Sequence, residues 1–146
     1  RDRSVSRGLG DVYKRQCQAL PFKVNSLGYI SDTSTMVAAY SCADLFVIPS
    51  LEDNLPNTIM ESMACGTPCV GFEIGGIPEM IDHRVNGYVA NYKDAGDLAN
   101  GIQWVLEHED RLALSDACVK KVQENYTEEV VAKQYTALYE KLLKGE

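Results

Sequence analysis

Short apolar runs alternate with helically spaced apolar positions along most of the chain. Phe22-Lys-Val-Asn-Ser-Leu27 alternates as a strand does, and Gly28 follows it. Asp32 or Thr33 can cap a helix through about Ala43, with Met36, Val37 and Tyr40 on one face. Asp44-Leu-Phe-Val-Ile48 is a short apolar run closed by Pro49-Ser50, which suits a buried parallel strand. Residues 57–64 read as a helix stopped by Gly66. Residues 68–72 read as a second buried strand, Gly75-Gly76 as a tight turn, residues 77–81 as a short helix and residues 87–90 as a short strand. Three helices then close the chain. Asp94 with Asp97 caps the first, which carries Leu98, Ile102, Val105 and Leu106 at helical spacing. Leu112, Val119 and Val122 mark the second. Thr127 caps the third, whose apolar stripe is Val131, Tyr135, Leu138 and Leu142, with Lys141 and Lys144 near its end as the helix dipole prefers.

Strand–helix repetition with short turns predicts an α/β architecture: a Rossmann-like parallel sheet with helices on both faces. Sheets of this kind bind ligands beyond the carboxyl ends of their strands. That rule points to the loops after Leu27, Ile48 and Phe72.

Composition narrows the classes. The chain has 146 residues, enough for one domain with a substantial core, and its 45% apolar content is ordinary for a globular protein. No apolar run is long enough to span a membrane, and no secretory leader is recognisable. Residues 1–16 stand apart: they hold five of the 14 basic residues and two of the 21 acidic ones, with no sustained periodicity. We expect a disordered or non-native leader there, a basic arm being the functional alternative, and assign residues 17–146 to the domain proper. Residues 17–146 then carry nine basic and nineteen acidic residues, which argues against nucleic acid or an anionic membrane as the main partner. The five cysteines are odd in number. Buried, inert thiols in a reducing cytoplasm are the expectation, rather than disulfides or a metal site at Cys65-Gly-Thr-Pro-Cys69.

The loop from Pro49 to Pro56 carries the chemistry. Proline is tolerated in a first helical turn because its missing N–H would be unpaired there. The backbone N–H groups from about Asn54 to Ile59 should therefore face out of the sheet's carboxyl edge as an anion site. Asp53 and Glu61 bracket this turn, eight positions apart. A carboxylate accepts two neighbouring hydroxyls well, so one acid for a ribose and one for a sugar, with N–H groups for phosphate between them, would fit a nucleotide-diphosphate sugar. The plainer reading of the same residues is a capping Asp53 and a solvated Glu61.

Residues 49–68, PSLEDNLPNTIMESMACGTP, resemble the signature of family 4 glycosyltransferases of the GT-B fold, an E-x(7)-E motif followed by a small-residue helix and a Gly-x-Pro turn. GYISD, YSCADLFVIPS, GGIPEMI, NGYV and KDAGDLANGI extend the likeness across about residues 22–144. The resemblance implies the C-terminal, donor-binding half of a retaining hexosyltransferase, truncated at its N-terminus. Glu61 would bind the donor ribose, with Asn54, Leu55, Asn57, Thr58 and Ile59 around the diphosphate. The first acid of the pair would stand by the donor sugar as the catalytic position. The register gives Asp53 there in place of Glu, with Glu52 as the alternative. Gly28–Ile30 would lie near the nucleobase, Tyr29 being the stacking candidate and Ile30 its apolar neighbour. Glu79 matches an acid common in the family, with a structural role at a helix start.

The resemblance also implies what the chain lacks. No Arg or Lys lies between Lys23 and Arg84, and related enzymes carry an Arg and a Lys on preceding strands. A glycan or lipid-linked acceptor would be chosen by a missing N-terminal domain, and any contact with the inner face of the membrane would run through that domain. No metal and no cofactor beyond the nucleotide-sugar substrate are expected, and the fragment alone should be inactive. Surface polysaccharide assembly in the cytoplasm is the setting such enzymes suggest. Two other classes remain open at this point: a nucleotide-sugar epimerase, for which His83 is the histidine near the cleft, and a non-catalytic nucleotide-sugar-binding module.

Overall fold

The computed structural model describes residues 21–144, so the expected leader and Cys17 lie outside the described residues. The compact unit that carries the sheet begins at Asp32, and residues 21–31 are taken by themselves. The strand expected over residues 22–27 does not form. The segment has no regular structure, and Phe22 and Leu27 are 64% and 66% exposed. Ladder hydrogen bonds and a covered face hold a strand in place. Phe22 and Val24 fall on one face of an extended chain and Leu27 on the other, so three apolar residues do not build one coverable face.

From Asp32 onward the expected elements appear in order. They are α1 (Thr33–Ser41), β1 (Phe46–Ile48), α2 (Asn57–Ala64), β2 (Cys69–Phe72), α3 (Ile77–Met80), β3 (Gly87–Ala90), α4 (Ala95–Leu106), α5 (Arg111–Asn125) and α6 (Glu128–Lys144). The three strands are parallel in the order β1-β2-β3, with Val47 opposite Val70 and Val70 opposite Tyr88. All four residues of β2 are buried, as expected for a central parallel strand covered on both faces.

Alternation along the strands divides the core in two. Ile48 and Cys69 join Ile59 and Met63 of α2, Ile77 and Met80 of α3, Ile81, and Cys118 of α5 on one face. Val70, Phe72, Tyr88 and Ala90 meet Val105 of α4 on the other, with Leu98, Ile102 and Trp104 packed around them. Helices thus cover both faces, and each fully buried aliphatic side chain contributes roughly 1.5–3 kcal/mol.

Aspartates begin three of the helices. Asp32 accepts from the Thr35 N–H at 2.8 Å, Asp94 from Asp97 and Asp110 from Ala113. The Ser34 hydroxyl, then the hydroxyl and amide of Thr35, hold the Asp32 carboxyl down to about 2. Gly66, at φ +77°, ends α2 in the left-handed region its sequence position suggested. Among the described cysteines Cys69 and Cys118 are buried, and burial pushes both thiols up to about 12. Cys42 departs from the expected burial: it caps the C-terminus of α1 and is exposed. The stripe expected on α6 forms, but Tyr135, Leu138 and Leu142 face solvent. No helix among the described residues is long and apolar enough to cross a membrane.

Candidate functional site

β1 ends at Ile48 at the carboxyl edge of the sheet, and the chain turns there through residues 49–56 into α2. Pro56 is buried at the N-cap, with φ −70° and ψ 113°, and supplies no side-chain cap. The N–H groups of Asn57 and Thr58 therefore open the helix without an intrahelical acceptor. Helical spacing gives α2 two faces. Ile59, Ser62 and Met63 are buried, whereas Asn57, Thr58 and Glu61 are exposed along the opposite side.

Ile59 corrects one expectation. Its side chain is 0% exposed in the core, and its N–H donates to the Pro56 carbonyl at 3.0 Å. Its four-residue spacing to Met63 marks the core face of the helix, so neither its side chain nor its amide is free for a ligand. Asn54 and Leu55 are exposed in the loop, as is Glu52, while Asp53 is half-buried.

The acid-bearing loop is held by the loops that follow the other two strands. The Gly76 N–H donates to the Asn54 carbonyl at 2.6 Å, and the Tyr92 hydroxyl to the Leu51 carbonyl at 3.1 Å. At Gly75, φ is +53°, and a Cβ built there would stand 1.8 Å from the Asp53 carbonyl oxygen. Only glycine allows that backbone approach. Gly75-Gly76 thus forms the tight turn expected at the cleft edge, and that turn presses against the loop bearing Asp53. Tyr92, just beyond β3, was not singled out by sequence. A tyrosine after a strand gives no local sign of a hydrogen bond to a residue 41 positions earlier.

Glu61 has a partner from α1. The Tyr40 hydroxyl donates to Glu61 Oε2 at 3.2 Å. Burial, and then the Glu61 charge, push the Tyr40 phenol up to about 12. The Tyr40 carbonyl accepts from the buried Thr67 hydroxyl at 2.7 Å, and its ring stands edge-on to Phe46 at 5.6 Å. Thr67 in turn accepts at its carbonyl from Ser62 Oγ, tying the Gly-Thr-Pro turn to α2.

The remaining candidates stand elsewhere. Tyr29 is 94% exposed and Ile30 half-buried within residues 21–31, outside the unit that holds the acids. Glu79 lies in the first turn of α3, and its carbonyl accepts from the Tyr126 hydroxyl. His83 Nδ1 accepts from the Val89 N–H at 3.2 Å, and its ring packs on Tyr88 at 4.4 Å, a structural employment. The nearest acids to the α2 N-terminus in sequence are Glu52, Asp53 and Glu61, and no Arg or Lys interrupts positions 24–83. The arrangement can order hydroxyls on its carboxylates and an anion on the two N–H groups that have no acceptor among the described residues.

Residues 5–108 match the family described as glycosyl transferases group 1. The chain is 31% identical over 131 residues to N,N'-diacetylbacillosaminyl-diphospho-undecaprenol alpha-1,3-N-acetylgalactosaminyltransferase of Campylobacter jejuni, spanning 88% of this chain and 35% of that protein. It is 27% identical over 119 residues to N-acetyl-alpha-D-glucosaminyl L-malate synthase of Bacillus anthracis, spanning 81% and 31%. Among solved structures, sucrose-phosphate synthase from Thermosynechococcus elongatus superposes with a TM-score of 0.75 at 29% identity, over 97% of this chain and 35% of that one. The chain spans about a third of the length of these relatives.

Proposed function

The chain belongs to the group 1 glycosyl transferases and has the parallel α/β sheet of their GT-B fold, and on that premise we propose that it supplies the donor-binding part of a family 4 enzyme that transfers a sugar from a nucleotide-diphosphate sugar with retention of configuration. The observation that carries this reading is the open face of α2, where the unpaired N–H groups of Asn57 and Thr58 stand beside Glu61 one turn on. In it, Glu61 takes the ribose hydroxyls and the helix N-terminus takes phosphate. Asp53, eight positions before Glu61 and with its backbone held by the Gly75 turn, is the acid proposed to stand by the sugar, with Glu52 as the alternative.

Charge sets the limit of the part. A diphosphate brought against three acids needs cations, and residues 24–83 contribute none. The whole protein is proposed to supply them, together with the acceptor site, without a metal ion. The chain alone is proposed to be inactive. The Campylobacter relative is named for transfer onto a diphospho-undecaprenol. A glycan or lipid-linked acceptor in polysaccharide assembly at the cytoplasmic side is accordingly the class proposed for this protein.

The test is transfer by the whole protein from UDP-, GDP- and ADP-hexoses to a glycan or lipid-linked acceptor, with the product anomer read by proton NMR. Retention at the anomeric carbon is expected. Inversion would reject the mechanism, and turnover by the 146-residue chain alone would reject the division of labour.

A further inference from the structure

We propose that Tyr40 is a positioning residue for Glu61: its hydroxyl holds the carboxylate in the orientation that receives a ribose diol. The proposal rests on the reading of Glu61 as the ribose acid and deepens it by bringing α1 into the site.

A glutamate on an exposed helix face is free about three torsions, and a ligand that needs it in one of them must supply that order itself. Here the order is supplied beforehand. Tyr40 donates to Oε2 alone, at 3.2 Å, which leaves Oε1 and a second lone pair of Oε2 for two ligand hydroxyls. The donor is itself fixed from outside its own helix. Phe46 of β1 meets its ring edge at 85°, and the Thr67 hydroxyl, from the turn before β2, holds its carbonyl. α1 buries no residue fully, so its apolar packing alone does not explain a residue held at its backbone carbonyl, its ring edge and its hydroxyl. Phenylalanine would fill the contact with Phe46 equally well. The hydroxyl adds only the bond to Glu61. With the phenol pushed up to about 12, it remains a donor throughout the physiological range.

The test compares ligands as well as variants. UDP, GDP and ADP, each beside its 2′,3′-dideoxy form, are titrated into the whole protein, which is proposed to supply the phosphate-binding cations, by ligand-observed NMR, which follows binding into the millimolar range. The affinity ratio within the tightest pair measures what the diol gains. Tyr40→Phe keeps the ring and the Thr67 bond and deletes the hydroxyl. It should cut that ratio roughly three- to tenfold and leave dideoxy affinity unchanged, as expected for one lost hydrogen bond of ordinary net strength at an exposed site. Glu61→Ala should bring the ratio to about one, and adding Tyr40→Phe to it should change nothing further. Equal weakening of both ligands by Tyr40→Phe, or no weakening of either, overturns the positioning role while the donor site stands. A ratio untouched by Glu61→Ala, or no binding by any of the three nucleotides, overturns the reading of Glu61 itself.

Discussion

Replacing Gly76 by alanine probes how the acid loop is held. Gly76 has φ −86° and ψ 0°, a conformation any residue adopts, so the substitution brings a steric cost and no backbone one. The added Cβ would stand 2.4 Å from the Asn54 carbonyl oxygen and 2.8 Å from Leu55 Cδ1. Leu55 is exposed and can swing aside. The Asn54 oxygen is backbone, and it is the acceptor of the Gly76 N–H at 2.6 Å. Restoring an ordinary contact moves the loop by about 1 Å, which stretches that hydrogen bond beyond its useful range. The lost bond costs about 1 kcal/mol. Residual overpacking costs about 1–3 kcal/mol, offset by roughly 0.4–1 kcal/mol from the stiffer unfolded chain. Urea denaturation of the chain should therefore show a net loss of about 1–3.5 kcal/mol with an unchanged m-value. Nucleoside-diphosphate affinity should fall in parallel as Asp53 and Asn54 withdraw. Gly96→Ala is the control. Its Cβ meets only the capping Asp94 Oδ1, at 3.2 Å, and the small shift of that cap set against the stiffer unfolded chain should leave stability within about 1 kcal/mol of the unaltered chain. Equal stability of the two variants would refute the clamp. Lost stability with full nucleotide affinity would detach the loop from the donor site.

Two further outcomes follow from burial and capping. Ile59→Ala should cost about 2–5 kcal/mol in denaturant unfolding, because its side chain fills the core between α2 and the sheet. A cost below about 1 kcal/mol would contradict its place in the core. Asp32→Ala should lower the melting temperature at neutral pH, with the difference shrinking as pH falls. The folded carboxyl is held below its unfolded value, so its stabilisation is complete above pH 3.8 and fades as pH drops towards about 2. Melting curves at pH 7 and pH 2 with the same difference would contradict that assignment.

Local signals were sufficient where one element settles its own boundaries. Residues 57–64 and 87–90 match α2 and β3, because Gly66 and the run before Asn91 punctuate them clearly. The parallel sheet covered on both faces was legible in the same short runs, since β2 is apolar throughout and must be covered twice. Residues 22–27 looked equally regular but placed Leu27 out of phase with Phe22 and Val24. Ile59 was legible too, since its spacing with Met63 marks a core face, and assigning the N–H groups by loop position alone overrode that pattern.

The connections that build the site were not legible. Tyr40 and Glu61 are 21 residues apart, and Tyr92 and Leu51 are 41 apart. Periodicity describes the face a residue occupies, not the residue from another element that will meet it. The glycine pair announced a turn, but the carbonyls of Asp53 and Asn54 that require those glycines become visible only when the loops after β1 and β2 are packed together. The tertiary clamp also bears on the choice between acids, by fixing the Asp53 backbone while Glu52 stays exposed.

The central claim is that Glu61 and the open end of α2 receive the nucleotide. Calorimetric titration of the whole protein with its nucleoside diphosphate, comparing Glu61→Ala with Glu52→Ala, tests it most directly. Loss of two charge-assisted hydrogen bonds to the ribose should weaken binding by Glu61→Ala at least about tenfold, with Glu52→Ala close to the unaltered protein. Equal effects of the two substitutions would contradict the register on which the site is built.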